Sequence, residues 1–444
     1  MNATVPARRS ILDIPRGWLA RAPQPVFALY GGTMAFGAYF AMYAFRKPFT
    51  VASFADVAPF IVQYKIALVI VQVFGYALSK VAGIKVISEM PPERRAIAIL
   101  MLVGAAEAAL AGFAVTPAPF NVAWMFVNGL MLGLIWGLVF GFLEGRRTSE
   151  LLGAMLCASF IVSSGIVKSV GDSVMLNGWA NEFWMPAVTG LLFVPLLLVC
   201  VLGLATLPPP SAEDERLRVA RAPMDGKARR TMFSAYAPGL VAIFLIYVGL
   251  SSLRDFRDNF AVEIWNGLGF KNDAAIFTLS ELPVGAVVLV MLSFLMFIRD
   301  NRRAFMGNLV LVGIGLALTG LCTLAFRAHL IGPVEWMIAL GAGTYLAYTP
   351  FNALLFDRFI AASGKTGTAG FLIYVADAAG YASSVALLVF RNFGGVALSW
   401  VDFLEDTAFA VALGGLALLL LAGIYFFFRL APGISGAPAA QPAE

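Results

Sequence analysis

The sequence predicts an all-α membrane protein in which twelve transmembrane helices form two six-helix, pseudo-symmetric halves. Three observations lead to this fold class: the overall hydropathy, the number of long apolar runs, and a short segment that is repeated in both halves. Of the 444 residues, 60% are hydrophobic and 13% are charged, and the mean hydropathy is +0.84. A soluble domain of this length covers itself with polar groups, so the composition favours a chain that faces hydrocarbon.

Twelve apolar runs are long enough to cross a bilayer. A helix of about 20 apolar residues crosses the roughly 30 Å of hydrocarbon in a membrane. The runs, called spans 1 to 12, cover residues 26–47, 62–84, 96–115, 121–143, 151–175, 184–206, 237–262, 274–298, 304–326, 333–356, 367–390 and 404–428. Their number predicts a multi-pass membrane protein.

One long polar interruption divides the spans into six and six. Residues 208–232 are proline-rich and charged, which is typical of a solvated linker. The predicted organisation is an amino-terminal half at 1–207, a cytoplasmic linker at 208–232 and a carboxy-terminal half at 233–430. Residues 431–444 are rich in Ala, Pro and Gly and are predicted to be disordered.

The distribution of basic residues predicts the orientation. If the termini, the linker and the loops after even-numbered spans share one side, that side carries most of the lysines and arginines, including Arg94, Arg95, Arg302 and Arg303. The positive-inside rule makes this side cytoplasmic. The first span lacks the cleavage site of a signal peptide and is expected to be retained. We expect a monomer in the cell membrane, inner or plasma, with both termini in the cytoplasm.

Several functional classes are disfavoured by what the sequence lacks. The single histidine and the three cysteines, without CxxC spacing, predict neither a metal site nor a disulfide framework. No Walker, HExxH or GxSxG motif occurs, so neither ATP hydrolysis nor these enzyme chemistries are indicated. The pI near 9.1 is explained by basic cytoplasmic loops rather than by nucleic acid. We therefore expect no metal, no cofactor, no nucleic-acid partner and no enzymatic activity.

Apart from Lys65 at the start of span 2, which is counted with the preceding loop, six cations fall inside the predicted spans, where a charge is costly. Such residues usually face the interior of a helix bundle or a water-filled cavity. They are Arg46, Lys47, Lys80, Lys168, Arg254 and Arg257.

A repeated segment relates two of these cations. Residues 45–51 read FRKPFTV and residues 256–262 read FRDNFAV, with four of the seven positions identical. Two parallel six-helix halves, related by an axis along the membrane normal, place spans 1 and 7 opposite each other. The repeat therefore predicts that Arg46 and Arg257 face one another across a central cavity. Arg254, one turn earlier, competes with Arg257 for this position.

Two converging guanidinium groups favour an anionic ligand. They repel each other in a low-dielectric cavity unless an anion lies between them, and each offers a planar fork of donors to phosphate or carboxylate. The alternative is local ion pairing, of Arg254 with Asp258 or of Arg257 with either neighbouring aspartate. Arg46 has no acidic residue in the preceding three turns, so this alternative does not apply to span 1.

Four motifs, in spans 1, 2, 10 and 11, are informative together. They read Tyr39-x3-Tyr43-x2-Arg46-Lys47-x-Phe49, Tyr76-Ala-Leu-Ser79-Lys80, Tyr348-Thr-Pro350 and Lys365-Thr-Gly-Thr-Ala-Gly-Phe371. In this order they resemble the major facilitator superfamily and, within it, the organophosphate:phosphate antiporters, which are the glycerol-phosphate and hexose-phosphate transporters. The resemblance is loose over most of the chain and specific in these four spans.

This resemblance implies the major facilitator fold and a phosphate site. Arg46 and an arginine of span 7 would clamp the phosphate, and Lys80 would line the path. The tyrosines that the resemblance places around the cavity are Tyr39, Tyr43, Tyr76, Tyr348 and Tyr381. The chain departs from the family because span 5 has no histidine, and because span 7 carries two arginines and two aspartates.

Span 11 contains an aspartate where a charge is rare. Asp377 lies with Tyr374 and Tyr381 on one face of the predicted helix. An acid at this depth is a candidate for function. It would balance Lys80, take up a coupling proton, or join two helices.

Four other charged residues in the spans have an expected role. Lys168 stands one turn before Asp172, so it is either half of a local ion pair or a third contact to the anion. Lys47 and Glu281 are candidates for coupling or charge balance, as Tyr381 is. Glu107 in span 3 is expected to be structural.

The sequence therefore predicts a secondary active transporter that exchanges a small phosphorylated anion for inorganic phosphate by rocking its halves around a central site. Two alternatives stay open. A proton-coupled carrier of an organic anion would use Asp377 or Glu281 as its titrating group. A phosphometabolite sensor on a transporter scaffold would bind its ligand without moving it.

Overall fold

Sixteen α-helices make up most of the residues that the structure describes. The computed structural model describes residues 13–59, 62–143, 146, 149–210, 226–271, 273–295, 297–298, 300–363, 369–394 and 398–430. The helices in these ranges, α1 to α16 in chain order, are Asp13–Leu19, Gln24–Tyr43, Tyr64–Glu89, Pro92–Val115, Val122–Leu132, Ile135–Leu143, Ser149–Leu176, Met185–Ala205, Gly226–Asn259, Ala261–Gly267, Ala275–Leu295, Asn301–Arg327, Pro333–Ala353, Leu355–Ser363, Ala369–Phe393 and Trp400–Arg429. A short 3-10 helix covers Pro48–Val51. Residues 211–225 of the predicted linker and the tail 431–444 lie outside the described residues.

Eleven helical segments of the described chain are long and apolar enough to cross a membrane, and they correspond to every predicted span except span 10. The helix of span 10 is α13, which has 21 residues but carries glycine, threonine, tyrosine and proline along its length. Most of α13 is buried, so its neighbours separate it from lipid. It is the twelfth helix of the bundle. The predicted all-α fold class is confirmed, and eleven of the twelve predicted spans meet the length and hydropathy of a membrane-crossing helix in the described chain.

The repeated segment adopts different conformations in the two halves. In the first half, α2 ends at Tyr43, before Arg46, and the chain turns into the 3-10 helix. In the second half, α9 continues through Asn259. The physical reason is Pro48, which stands where the second copy has Asn259. Proline has no backbone N–H to donate, and its ring clashes with the carbonyl four residues earlier, so an α-helix does not continue through it.

The helices that carry the site run in parallel between two ends of the bundle. A Cβ built on Gly31, near the start of α2, would lie 3.7 Å from Leu152 near the start of α7. One built on Gly171, near the end of α7, would lie 3.1 Å from Pro48. We call the end at which α2, α7 and α9 terminate the upper end, and the end at which they begin the lower end.

The two halves meet along two pairs of helices. The helix α7 packs against α11, where Ser169 and Thr278 share a hydrogen bond of 2.7 Å. The helix α3 packs against α15, where the Tyr76 and Tyr381 rings are 5.0 Å apart. A cavity lies between these contacts, at the centre of the bundle.

Candidate functional site

The central cavity is small and lined mostly by polar and aromatic side chains. Its volume of about 40 Å³ gives room for a few water molecules. Both halves contribute to the lining, which consists of Tyr39, Tyr43, Arg46, Lys47, Tyr76, Lys80, Trp136, Phe160, Arg254, Asp255, Asp258, Tyr345, Tyr348, Asn352, Asp377 and Tyr381. The two halves are therefore closed around a site that holds several charges.

Arg46 reaches this cavity from the turn after α2. Non-helical backbone at this depth needs hydrogen-bond partners from the protein. Gln72 donates to the Arg46 carbonyl at 3.0 Å, and Asn128 donates to the Phe45 carbonyl at 2.9 Å. The guanidinium carbon lies 3.8 Å from the centre of the Tyr76 ring.

The charge of Arg46 is uncompensated in the described part of the chain. The residue is 5% exposed, and its Nε is buried without a hydrogen-bond partner. Each lysine and arginine beside it has a carboxylate partner, whereas Arg46 forms no ion pair with the carboxylates that the structure describes. A buried cation of this kind is costly unless a ligand or another partner compensates its charge.

Arg254 is the arginine of the other half that lines the cavity. Its guanidinium carbon lies 4.1 Å from the centre of the Tyr348 ring, much as that of Arg46 lies over Tyr76. It pairs with Asp255 at 2.6 Å, and Asp255 also accepts a hydrogen bond from Ser384 at 2.7 Å. Each half thus places one guanidinium on a tyrosine face at the cavity.

The prediction that Arg257 faces Arg46 is wrong. Arg257 donates to Glu281 at 2.7 Å and to the Met337 carbonyl at 3.0 Å, and it is not part of the cavity lining. Because α9 stays helical where α2 has ended, the two arginines of the repeat project in different directions. The alternative local pairing of Arg254 with Asp258 is also absent among the described ion pairs.

A cluster of charged side chains around Asp258 joins the halves toward the upper end. Asp258 of α9 pairs with Lys47 and accepts hydrogen bonds from Ser164 and Lys168, the latter at 2.5 Å. Lys47 also donates to Asn259 at 2.8 Å. Lys168 therefore pairs across the halves rather than with Asp172 in its own helix. Neither Lys168 nor Glu281 lines the central cavity.

An ion pair between Lys80 and Asp377 joins the halves toward the lower end. Lys80 of α3 lies 3.3 Å from Asp377 of α15, and its Nζ lies 5.2 Å from the Trp136 ring centre. Asp377 also accepts a hydrogen bond of 2.5 Å from Tyr247. The structure thus brings Asp377 and Lys80 together. Of the three roles that the sequence left open for Asp377, this contact matches the first, the balancing of the Lys80 charge.

The structure brings most of the predicted site residues into one cavity. All five tyrosines that the resemblance placed there are lining residues, and Tyr39 and Tyr76 share a hydrogen bond of 3.4 Å. Sequence reasoning did not single out Tyr247, Tyr345 or Asn352. Spacing offered a signal, since Tyr345, Tyr348 and Asn352 fall at i, i+3 and i+7 of one helix.

The lining carries more positive than negative charge. It contains the cations Arg46, Lys47, Lys80 and Arg254, and the carboxylates Asp255, Asp258 and Asp377. Lys168, which is bonded to Asp258 just behind the lining, adds one further cation. The excess is one charge in the lining and two with Lys168, so the field in the cavity attracts an anion.

The chain belongs to DUF5690, a family of unknown function whose model matches residues 48–429. No curated protein shows significant similarity to it.

Solved structures similar to this chain are peptide transporters. One is a bacterial homologue of the human drug peptide transporters PepT1 and PepT2, with 10% identity and a TM-score of 0.59 over 91% of this chain and 99% of that chain. Another is a mutant of the peptide transporter POT, with 14% identity and a TM-score of 0.57 over 92% of this chain and 96% of that chain. At these identities the likeness shows the fold, which is the major facilitator fold that the sequence predicted.

Proposed function

We propose that this DUF5690 protein is a secondary active transporter that carries a small anionic metabolite across a membrane by alternating access. The observation that carries the proposal is Arg46, a buried guanidinium without a carboxylate partner in the described chain, at a cavity between two six-helix halves. A charge is kept at this depth when it serves a ligand or an ion path.

We further propose that the anion is phosphorylated and exchanges for inorganic phosphate. Arg46 and Arg254 present two planar, permanently charged forks from opposite halves, a geometry suited to a tetrahedral oxyanion. Lys80 and Lys47 line the same cavity and would neutralise further charge. Tyr39, Tyr43, Tyr76, Tyr348 and Tyr381 would supply hydroxyl donors and aromatic walls.

The uncompensated charge of Arg46 supports exchange over net transport. Asp258 with Lys47 toward the upper end and Lys80 with Asp377 toward the lower end hold the halves together when the cavity closes. Without an anion, closure leaves the Arg46 charge uncompensated in a low-dielectric site. A bound anion removes this cost, so the halves pass through the closed arrangement more readily when loaded.

Orientation and assembly are part of the same proposal. The exposed basic residues Arg94 and Arg303 stand at the starts of α4 and α12, at the lower end of the bundle. By the positive-inside rule we assign this end to the cytoplasm, with the protein in the cell membrane and both termini in the cytoplasm. We propose a monomer as the working unit.

A proton-coupled organic-anion carrier is the second candidate. It is favoured by Asp377, whose carboxylate lies between Lys80 and the Tyr247 hydroxyl, and by Glu281, whose second oxygen is buried without a hydrogen bond. The same arginines would hold a carboxylate. A pH gradient would then drive uptake without phosphate inside.

Counterflow in proteoliposomes tests the proposal. Vesicles loaded with inorganic phosphate are offered labelled phosphate, and competition is screened with phosphorylated, phosphonate, carboxylate and dipeptide compounds. We expect phosphate to exchange and an Arg46→Lys variant to lose roughly tenfold or more of the rate, since lysine keeps the charge but not the fork. The control is Arg327→Lys, whose arginine pairs with Glu405 and Asp406 outside the cavity.

Three outcomes separate the candidates. Full-rate exchange by Arg46→Lys contradicts the clamp. Uptake of a carboxylate that depends on a pH gradient and not on internal phosphate favours the proton-coupled carrier. Saturable binding without flux favours the sensor.

A further inference from the structure

A chain of hydrogen bonds connects the lower inter-half ion pair to the cavity. The Tyr247 hydroxyl lies 2.5 Å from Asp377 Oδ1, 2.7 Å from the Tyr348 hydroxyl and 3.2 Å from Asn352 Nδ2. The other Asp377 oxygen, Oδ2, lies 3.3 Å from Lys80 Nζ. Tyr247 is 1% exposed and Asp377 is 6% exposed, so this chain of hydrogen bonds is buried away from bulk water.

The number of available protons fixes the direction of each hydrogen bond. An ionised carboxylate only accepts, so Tyr247 donates its single hydroxyl proton to Asp377. The Asn352 amide nitrogen only donates, so the Tyr247 oxygen accepts from it. Tyr348 must then donate its own proton to Tyr247, because Tyr247 has none left. While Asp377 is ionised, the Tyr348 hydroxyl offers only lone pairs to the cavity that it lines.

We propose that a proton on Asp377 reverses this chain and thereby links anion binding to protonation. The inference rests on the proposed anion site and adds its coupling device. Protonated Asp377 donates from Oδ1 to Tyr247, Tyr247 donates to Tyr348, and the Tyr348 proton becomes available to an anion beside Arg254. The carboxylate takes one proton from solution, and the two tyrosine hydroxyls only rotate.

The same proton changes the charge of the cavity. Neutral Asp377 no longer balances Lys80, so Lys80 becomes available to the anion and the positive excess grows by one charge. Loss of the proton restores the pair between α3 and α15 and turns Tyr348 back to an acceptor. Both consequences weaken the hold on the anion, so a proton and an anion stabilise each other in the site.

The groups around Asp377 determine its response to pH. The charged groups that share the cavity lining with Asp377 include Lys80, Arg254, Asp255 and Asp258. The lining contains no residue of α14, which also packs on α15. The remaining titratable or charged groups near Asp377 are Tyr76 of α3, Cys157 of α7, Tyr247 of α9, Tyr348 of α13, Tyr374 and Tyr381 of α15, and Arg46 and Lys47 across the cavity.

Equilibrium binding of inorganic phosphate to the purified full-length protein, measured from neutral to acid pH, tests the inference. The variants are Asp377→Asn and Tyr247→Phe. The side-chain amide that replaces the carboxylate donates permanently toward Tyr247. Asp377→Asn therefore keeps the hydrogen bonds in the direction that protonated Asp377 would give them. The titration of phosphate itself is the same for every variant and cancels when their pH profiles are compared.

We expect the wild-type affinity to rise toward acid pH more steeply than that of Asp377→Asn. For one coupled proton the difference approaches about tenfold per pH unit. Asp377→Asn should bind at every pH as tightly as the wild type does at its acid limit. Tyr247→Phe breaks the relay and should bind more weakly at acid pH. The control is Tyr425→Phe, which loses a hydroxyl that donates to the Ala235 carbonyl away from the cavity, and it should match the wild type.

Equal slopes for the wild type and Asp377→Asn overturn the inference. A wild-type profile in Tyr247→Phe assigns the proton to Asp377 but overturns the relay. If Tyr247→Phe does not fold, the comparison with Asp377→Asn still decides on the proton. Absence of phosphate binding in every variant overturns the proposed function, and this inference with it.

Discussion

Arg46 carries a cost that the described protein only partly offsets. Removing a cation from water costs several kcal/mol in real proteins even after relaxation, roughly 3–5 kcal/mol when no partner remains. Its contact with the Tyr76 ring returns about 2 kcal/mol for a desolvated cation on an aromatic face. The difference is available to an anion, which gains it on binding. This net cost is easier to explain by ligand recognition than by a role of Arg46 in the stability of the fold.

The two arginines of α9 differ in surroundings, and this difference predicts opposite phenotypes. Arg254→Lys removes a fork from the cavity and should lower phosphate exchange roughly tenfold or more, because a hydrogen bond to a charged group is worth about 1.5–3 kcal/mol. Arg257→Lys leaves the cavity intact but cannot keep both bonds, to Glu281 and to Met337. It should lower the unfolding temperature while the exchange rate per folded molecule stays within about twofold of the wild type.

Counterflow together with a thermal melt of each purified variant measures both effects. A low exchange rate in Arg257→Lys at normal stability, with normal exchange in Arg254→Lys, would reverse the assignment of the two arginines.

At the residue scale, the sequence predicted most of the residues that line the cavity, but not which arginine of α9 is among them. Charges at membrane depth are rare enough for Arg46, Lys80 and Asp377 to stand out, and the structure places them around one cavity. The choice between Arg254 and Arg257 depended on where a helix ends. That end is set by Pro48 in the first copy of the repeat. Counting the identical positions of the two copies does not take this difference from Asn259 into account.

At the element scale, the turn after α2 depends on two amides from neighbouring helices. Gln72 of α3 and Asn128 of α5 share a hydrogen bond of 2.8 Å and hold the carbonyls of Arg46 and Phe45. Span predictions ran the first helix through residue 47, because apolarity does not change at Tyr43. Hydropathy finds the helix but not the irregular turn, whose carbonyls need hydrogen bonds from side chains that are distant in sequence.

The packing of α7 on α11 predicts a second kind of effect, on closure. A Cβ built on Gly165 would meet the Phe277 carbonyl and lie 2.9 Å from Glu281 Cβ, across the two halves. Gly165→Ala should therefore push α7 away from α11, at a cost of about 1–3 kcal/mol for overpacking. The matched control is Gly153→Ala in the same helix, where the nearest atom, on Phe140, is at an ordinary 3.8 Å.

Crosslinking measures this effect directly. Cysteines at Ser169 and Thr278, whose hydroxyls are 2.7 Å apart, report how often α7 and α11 are in contact. We expect slower disulfide formation in Gly165→Ala than in Gly153→Ala. Equal rates would show that the two helices do not depend on this close approach.

At the scale of the whole molecule, the two halves are connected by charges toward both ends of the cavity. Lys65 pairs with Glu263 at 2.6 Å, in addition to the cluster around Asp258, and Lys80 pairs with Asp377 below. The halves are therefore closed on both sides of the central cavity. Alternating access requires that one set of these contacts opens while the other stays closed, with the anion held from both halves in between.

The overall fold was predictable because its signal extends over the whole chain. Long apolar runs and one polar interruption were enough for twelve helices in two halves, and even α13 was found, although its polar residues make it less apolar than the rest. The contacts between the halves were not predictable. They depend on pairs such as Lys168 with Asp258, which are distant in sequence and have nearer acids to choose from.

The central claim is that one anion is held by an arginine from each half, and a double-mutant cycle on phosphate affinity tests it most directly. The measurement compares the wild type, Arg46→Lys, Arg254→Lys and the double variant. Because the halves close over the anion only when both arginines hold it, each single change should already lose most of the clamp. The double variant should then bind more tightly than additive losses predict, by a coupling energy of about 1–2 kcal/mol, within the range for residues that act together. Additive losses, or a single variant that binds phosphate like the wild type, would contradict the claim.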